Sequence, residues 1–329
     1  MTEQTQLAWN IIETTNTNLF LTGKAGTGKT TFLRRLKEES SKRIVVVAPT
    51  GIAAINAEGV TIHSFFQLSF APFIPNYNLK EQQFRFSKQK INVIRSIDTL
   101  VIDEISMVRA DLLDAVDSVL RRFRKNNLPF GGVQMVMIGD LGQLAPVAKD
   151  DEWQMLSRYY ATPYFFSSLA LQRTRYAIVE LTKVYRQSDK RFLDILNKVR
   201  ENRADAAVLS ALNSRYIPGF KPRKEDGYIR LTTHNWQAQR INDHELELLP
   251  GKPYTYTATI EGKYPEMLFP TDETLTLKTG AQVMFVKNDS SADKAYYNGM
   301  IGTIAEIDAE GFTVTAKDTG ENIRVQPEQ

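Results

Sequence analysis

The run Gly23-Lys24-Ala25-Gly26-Thr27-Gly28-Lys29-Thr30-Thr31, directly after the apolar stretch "NLFLTG", has the composition of a loop that wraps a phosphate. Glycines let the backbone come close, and consecutive amides at a helix N-terminus bind a β-phosphate. Lys29 is expected to neutralise the β/γ oxygens, and the Thr30 hydroxyl to bind Mg²⁺. Three later stretches carry matching chemistry. In "LVIDEIS", an apolar strand ends in two carboxylates. Asp103 is placed to hold Mg²⁺ and Glu104 to orient or deprotonate a water. The plainer alternative is an acidic strand end capping the next helix. The expectation puts this strand next to the one carrying the phosphate loop. In "IGDLGQLAPV", Asp140 ends another strand and Gln143 follows in a loop. Its amide both donates and accepts, so it can report the state of a nucleotide; the alternative is a turn with no such contact. In "LTKVYRQ", Arg186 either reaches a γ-phosphate from a second lobe or pairs on the surface.

These residues need a scaffold that points them to one edge. "NLFLTG", "RIVVVAPT", "SIDTLVIDE" and "VQMVMIGD" are continuous apolar runs, as expected of strands buried on both faces of a parallel sheet. Helical patterns alternate with them. One is "RADLLDAVDSVLRRFRK", with Leu112, Leu113, Val116, Leu120 and Phe123 on one face. The alternation predicts an α/β fold with ligands at the carboxyl ends of the strands. Residues 67–95 interrupt it with prolines, aromatics and lysines, and read as an inserted small subdomain. Residues 180–250 resume mixed α/β character, with "AIVELTKVYR" and "DGYIRLTTHN" as strand-and-turn units. After Pro250, "LKTGAQVMFVKND", "YYNGMIGTIAEID", "GFTVTAKD" and "ENIRVQP" read as a small antiparallel β module.

Composition sets bounds. The 329 residues, 42% hydrophobic and 24% charged, are those of an ordinary globular chain of two or three domains. A net charge of +3 permits a nucleic-acid partner without requiring one. With no cysteine, disulfides, thiolate metal sites and a cysteine nucleophile are excluded. No signal peptide or membrane span is visible. The expected location is cytoplasmic, or nuclear in a eukaryote.

Together "FLTGKAGTGKT", "VVAPTGIAA", "TIHSFF", "VIDEISMV", "PFGGVQMVMIGDLGQLAPV" and "LTKVYRQ", in that order, resemble superfamily-one helicases of the Pif-one-like branch, related to RecD. The resemblance covers nearly the whole chain. Ala145 departs from the family's usual proline. It implies a RecA-like ATPase domain (1–180, with 67–95 a wedge-like insertion), the start of a second RecA-like domain (181–250), and an inserted β-barrel (251–329). It also implies an ATP-dependent helicase using ATP and Mg²⁺, moving 5′-to-3′ on single-stranded DNA and opening forked or structured DNA, as a monomer. Roles in DNA repair, replication and telomere maintenance go with it. Gln143 and Arg186 become the nucleotide sensor and arginine finger. An N-terminal glutamine should read adenine; Gln4 and Gln6 compete, and the reading leans to Gln6. Tyr185 either stacks on the base or packs in the core.

Nucleic acid is expected at Thr50 and Gly51, where a strand ends and a helix begins, although a simple helix cap has the same appearance. His63, Ser64 and one of the Phe65–Phe66 pair, taken as Phe65, suit phosphate contact and base stacking. Arg109 is a further basic candidate. In the insertion, Phe70, Phe73, Tyr77, Phe84 and Phe86 lie among Lys80, Arg85, Lys88 and Lys90. They form either a strand-separating wedge or their own core. Thr232, Thr233, His234 and Asn235 resemble the second lobe's DNA-contacting segment. Trp236 either stacks or packs inside.

Two family motifs normally follow the barrel, a "HKSQG"-like loop and an arginine-bearing "ALSR"-like helix start. Neither is present here, since the last histidine is His244 and only Arg324 follows Arg240. The expectation is a chain truncated before them, with a weakly anchored second lobe, able to bind ATP but impaired in hydrolysis and unwinding. The competing readings are a DNA-remodelling ATPase that does not unwind, and a non-catalytic nucleic-acid-binding fragment.

Overall fold

The apolar runs of the first part of the chain become parallel strands. The structure, a computed structural model, describes residues 2–75, 86–185, 189–222, 228–260, 271–287, 289, 295–297 and 299–327. These divide into two compact units, Met1–Tyr216 and Ile217–Gln329.

The first unit runs α1 (Glu3–Thr14), β1 (Asn18–Gly23), α2 (Lys29–Glu39), β2 (Ile44–Ala48), α3 (Gly51–Asn56), β3 (Val60–Thr61), α4 (Ile62–Phe66), α5 (Lys88–Ser96), β4 (Thr99–Ile102), α6 (Ala110–Arg124), β5 (Gln134–Gly139), α7 (Asp150–Leu156), α8 (Leu169–Gln172), β6 (Tyr176–Leu181), α9 (Lys190–Arg200) and α10 (Ala206–Asn213). The strands form one parallel sheet in the order β3-β2-β4-β5-β1-β6. Alternate residues of each strand feed two cores. Phe20, Leu100, Ile102, Met135 and Met137 pack against α4, α5, α6 and α8. Leu19, Leu21, Val101, Val136 and Ile138 pack against α1 and α2. Helices thus cover both faces, which is why β4 and β5 are buried along their whole length.

Three expectations change. The strand of Asp103 is not beside that of the phosphate loop: β5, carrying Asp140, runs between β4 and β1. Strand order is a tertiary property that local apolar runs do not encode. The segment "AIVEL" adds to this first sheet as β6, paired with β1 over Asn18–Gly23. At the end of the insertion, α5 packs into the main core through buried Ile94, and Phe86 meets Phe123 edge-to-face at 4.8 Å. Tyr77, Lys80, Phe84 and Arg85 lie outside the described residues.

Helix α6 is buried on more than its apolar face. Asp111, Asp114 and Asp117 are buried beside Leu113, Val116 and Leu120. Each carboxylate ties down another segment. Asp114 accepts from Tyr160 Oη (3.0 Å), Ser168 Oγ, Leu169 N (3.0 Å) and Ala170 N (2.9 Å). Asp117 accepts from the Phe130 amide, and Asp111 from the Phe73 amide and Arg109. A buried carboxylate persists when its lone pairs are satisfied in this way.

The second unit holds α11 (Asn235–Leu248), β7 (Tyr254–Thr257), β8 (Thr274–Leu277), β9 (Gln282–Met284), β10 (Ile301–Asp308), β11 (Gly311–Ala316) and β12 (Asn322–Val325). The last four strands form an antiparallel sheet, β12-β11-β10-β9, and β7 pairs with β8. Leu277, Ala281 and Ile304 share a core with Tyr256 and Phe312. The Tyr256 hydroxyl donates to the carbonyls of Asp308 (2.8 Å) and Gly311 (3.0 Å). Residues 228–231, expected as a strand, form no strand among the described residues; Leu231 is 88% exposed. An apolar run becomes a strand only where a partner edge exists.

Candidate nucleotide and nucleic-acid site

Parallel strands place their carboxyl ends on one edge, so the loops after β1, β2, β4 and β5 collect there. After β1 the chain turns through the phosphate loop into α2. Gly28 caps that helix at φ 91°, a conformation that only glycine adopts freely. The Thr27 hydroxyl donates to the Lys24 carbonyl at 2.8 Å and fixes the loop. The Lys29 ammonium donates to the carbonyls of Gly23 (2.6 Å) and Lys24 (3.2 Å). Burial pulls Lys29 below the usual lysine range, against the opposing pull of Asp140, Glu104 and Asp103. All three carboxylates therefore favour the charged form of the same ammonium. Ala25, Thr30 and Thr31 stand exposed at the loop and the first turn of α2, with Gly26 half-buried.

After β4, burial pushes the Asp103 carboxyl up to about 6, aided by its neighbour Glu104 and opposed by Lys29. Glu104 has φ 50° and ψ 44°, left-handed for a residue with a Cβ, at a cost of about 1 kcal/mol. After β5, Asp140 is fully buried. It accepts from the Gly142 amide (2.9 Å), the Gln143 side-chain amide (3.2 Å) and the Arg200 guanidinium. Gln143 is thus joined to the group that sits beside Lys29. Ser106, two residues beyond Glu104, keeps a buried hydroxyl with no partner among the described residues.

The remaining nucleotide candidates separate. Gln6 donates along its own helix to Asn10 at 2.9 Å. Gln4 is half-buried and has no side-chain hydrogen bond among the described residues. Tyr185 is 59% exposed, so it is not a core residue. Its amide donates to the Gly26 carbonyl (2.8 Å), and its ring stands 3.7 Å from where a Cβ of Gly28 would be. The ring thus lies against the phosphate loop. Arg186 lies outside the described residues.

The nucleic-acid candidates divide as well. Thr50 does cap α3, accepting from the Ala53 amide at 3.2 Å, with Gly51 as its first residue. In α4, the Ser64 amide is capped by Thr61. Phe65 needs correction. It is 6% exposed, packed with Phe66 at 4.8 Å, and its face is covered by the Lys90 ammonium at 3.6 Å. It has no free face for a base. The stacking surface here is His63 on Phe70, with ring centroids 4.4 Å apart at 12° and Phe70 56% exposed. Burial, then the nearby Arg109 charge, lowers the His63 pKa, against the pull of Asp111. Arg109 itself is half-enclosed between Asp111 (2.8 and 2.9 Å) and Glu152 (2.5 Å), its charge already compensated.

In the second unit, Thr232 and Thr233 are exposed and fold their hydroxyls onto His234, at 3.2 and 2.9 Å. Asn235 opens α11; its side chain lies outside the described residues. Trp236 is 60% exposed, not packed inside. It lines a surface cleft of about 690 Å³ with Arg230, Gln239, Arg240 and His244. Sequence reasoning missed Arg200 and Glu201. No local pattern distinguishes them from the other charges at the end of an amphipathic helix.

A model of PIF1-like helicases matches residues 1–208, the span that contains every element of the nucleotide edge. The chain belongs to the PIF1-like helicase family. It is 37% identical over 317 residues to the ATP-dependent DNA helicase Pif1 of Psychrobacter sp. (strain PRwf-1), covering 91% of this chain and 45% of that protein. The Bacteroides Pif1 helicase solved with ADP-AlF3 and single-stranded DNA superimposes with a TM-score of 0.87 at 40% identity, covering 99% of this chain and 74% of that one. A structure of two coordinating Pif1 helicases at forked duplex DNA gives 0.86 at 42%, covering 99% and 76%. The chain spans less than half the length of the first curated relatives it matches. Among its described residues no helix is long and apolar enough to cross a membrane.

Proposed function

We propose that the protein is an ATP-dependent DNA helicase that moves 5′-to-3′ on single-stranded DNA and opens forked or structured duplex. The observation that carries this is the convergence of Lys29, Asp103, Glu104 and Asp140 at one sheet edge, with Gln143 bonded to Asp140. The loop amides and Lys29 bind the β- and γ-phosphates, releasing Lys29 from the loop carbonyls it now serves. Glu104 orients the attacking water, and Gln143 reads the γ-position. Arg186 supplies a cation to the transition state, and an N-terminal glutamine, Gln6 or Gln4, reads the adenine. Members of the family with nucleotide and DNA bound support this reading.

The donor set suits Mg²⁺. An exposed Thr30 and one buried carboxylate, Asp103, match an ion that takes few protein ligands and keeps water and phosphate oxygens. Bound there, the ion would neutralise charge developing on the phosphates. Thr30 and Asp103 would hold it.

The 1–180, 181–250 and 251–329 segments are read as first RecA-like domain, start of a second, and inserted barrel. Within the first unit, Thr50, Gly51, His63, Ser64 and Phe70 are read as DNA contacts; within the second, taken by itself, Thr232, Thr233, His234 and Asn235 are. One chain supplies the whole described nucleotide edge, so the working unit is read as a monomer. The test is ATP turnover with and without single-stranded DNA, by the protein at its natural length. Lys29→Ala should lower DNA-stimulated turnover by at least about a hundredfold. Equal turnover by both proteins would refute the assignment.

A further inference from the structure

Helix α9 meets the nucleotide edge at one end only. None of its residues is buried, and Phe192, Leu196 and Val199 are 39%, 41% and 48% exposed. Its apolar face is therefore not what holds it, as it would be for an ordinary surface helix. Two ion pairs of opposite polarity grip its C-terminal end. The Arg200 guanidinium donates to Asp140 Oδ2. The next residue, Glu201, accepts from Lys24 Nζ at 3.0 Å. Lys24 belongs to the phosphate loop and Asp140 to the loop that carries Gln143. A Cβ on Gly142 would stand 2.7 Å from the Arg200 guanidinium carbon, so the absence of a side chain there is what admits it.

We propose that Arg200 is a positioning residue that holds Asp140, and through it Gln143, and carries the state of the nucleotide site to α9. This rests on reading the edge as an ATP site. Asp140 Oδ1 is taken by the Gly142 amide and Oδ2 by Arg200 and Gln143. With one amide hydrogen committed to Asp140, Gln143 keeps a second donor and its carbonyl for the γ-phosphate and water. A nucleotide that draws Gln143 loosens its bond to Asp140. The weakly packed helix at the other end of the Arg200 bond is free to respond.

Electrostatics support this arrangement. Burial raises Asp140, but the Arg200 and Gly142 hydrogen bonds outweigh it and leave the carboxyl below its usual range. The charged groups facing this cluster are Lys29 from α2, Glu180 from β6, and Glu201 beside Arg200, with Asp103 and Glu104 beyond Lys29. Without Arg200, the first-named opponent of burial is lost and the Asp140 carboxyl moves upward, with the Gly142 amide and Lys29 still opposing burial. A protonated carboxyl is a weaker acceptor for the Gln143 amide and the Gly142 N–H.

The test is equilibrium binding of fluorescent ADP and of a non-hydrolysable ATP analogue to the 329-residue chain with Mg²⁺, between pH 6 and 8. Arg200→Ala should weaken the ATP analogue by on the order of tenfold, the worth of a charge-assisted hydrogen bond, and ADP by less than about twofold. The ratio of wild-type to variant affinity for the ATP analogue should grow toward pH 6. Arg200→Lys should restore most of that affinity, because the bond uses a single nitrogen. Gly142→Ala, which crowds the guanidinium, should reproduce the selective loss and serves if Arg200→Ala does not fold. Parallel loss of both nucleotides, or no change in either, would overturn the assignment. A wild-type chain that binds neither nucleotide would overturn the ATP-site reading itself, and this proposal with it.

Discussion

Helices α6 and α9 look alike in sequence, each amphipathic and charged, yet the molecule uses them in opposite ways. In α6, nine of 15 residues are buried, including three aspartates with their own donors. In α9, none of 11 is buried, and its end is held by Arg200 and Glu201. One is a beam under the sheet and the other a lever resting on the nucleotide loops. Buried apolar area makes an element immobile, whereas a few ion pairs at one end leave it displaceable at low cost.

That contrast can be broken by mutation. The largest effect belongs to Asp114→Ala, which strips the acceptor from four donors, two of them backbone amides. Urea unfolding of the first unit should show a loss of about 3–5 kcal/mol. Leu113→Ala, fully buried on the same helix, should cost about 2–5 kcal/mol by the same measurement. On α9, Phe192→Ala should cost under about 1 kcal/mol, because its ring is already 39% exposed. If Phe192→Ala matched Leu113→Ala, α9 would be a packed element and the contrast would fail.

The smallest effect is electrostatic and lies on the surface. Arg43 holds the Asp98 carboxyl down to about 2, through a side-chain hydrogen bond that outweighs burial. A depressed carboxyl contributes stability fully above the unfolded value of 3.8 and loses it as pH falls toward about 2. The gap between wild type and Arg43→Ala should therefore be slight at pH 6 and narrower at pH 3, as read by urea midpoints. A gap that widens on acidification would contradict the sign. Asp98 and Arg43 are well exposed, so solvent screening keeps the effect small.

Much of the nucleotide edge was legible beforehand because its signals are local. A glycine loop between an apolar run and a helix, and a strand ending in Asp103-Glu104, need only a few consecutive residues. What was illegible depends on partners distant in sequence. The place of β5 between β1 and β4 is set by sheet assembly. Phe65 looked like the one of the adjacent pair left for a base, but α4 buries both rings and Lys90 lies over the face of Phe65. Asp114 and Asp117 read as polar positions until α8 and the Phe130 turn supply their donors. Arg200 looked like any helix-terminal cation, since the carboxylate it serves lies sixty residues away.

The most direct test of the central claim is an unwinding assay at the protein's natural length. The substrates are two duplexes, alike except that one carries a 5′ single-stranded tail and the other a 3′ tail. With ATP and Mg²⁺ the 5′-tailed duplex should open, the 3′-tailed one should not, and Lys29→Ala should open neither. Equal opening of both tails would contradict the direction. Opening that needs no ATP, or survives Lys29→Ala, would contradict the motor.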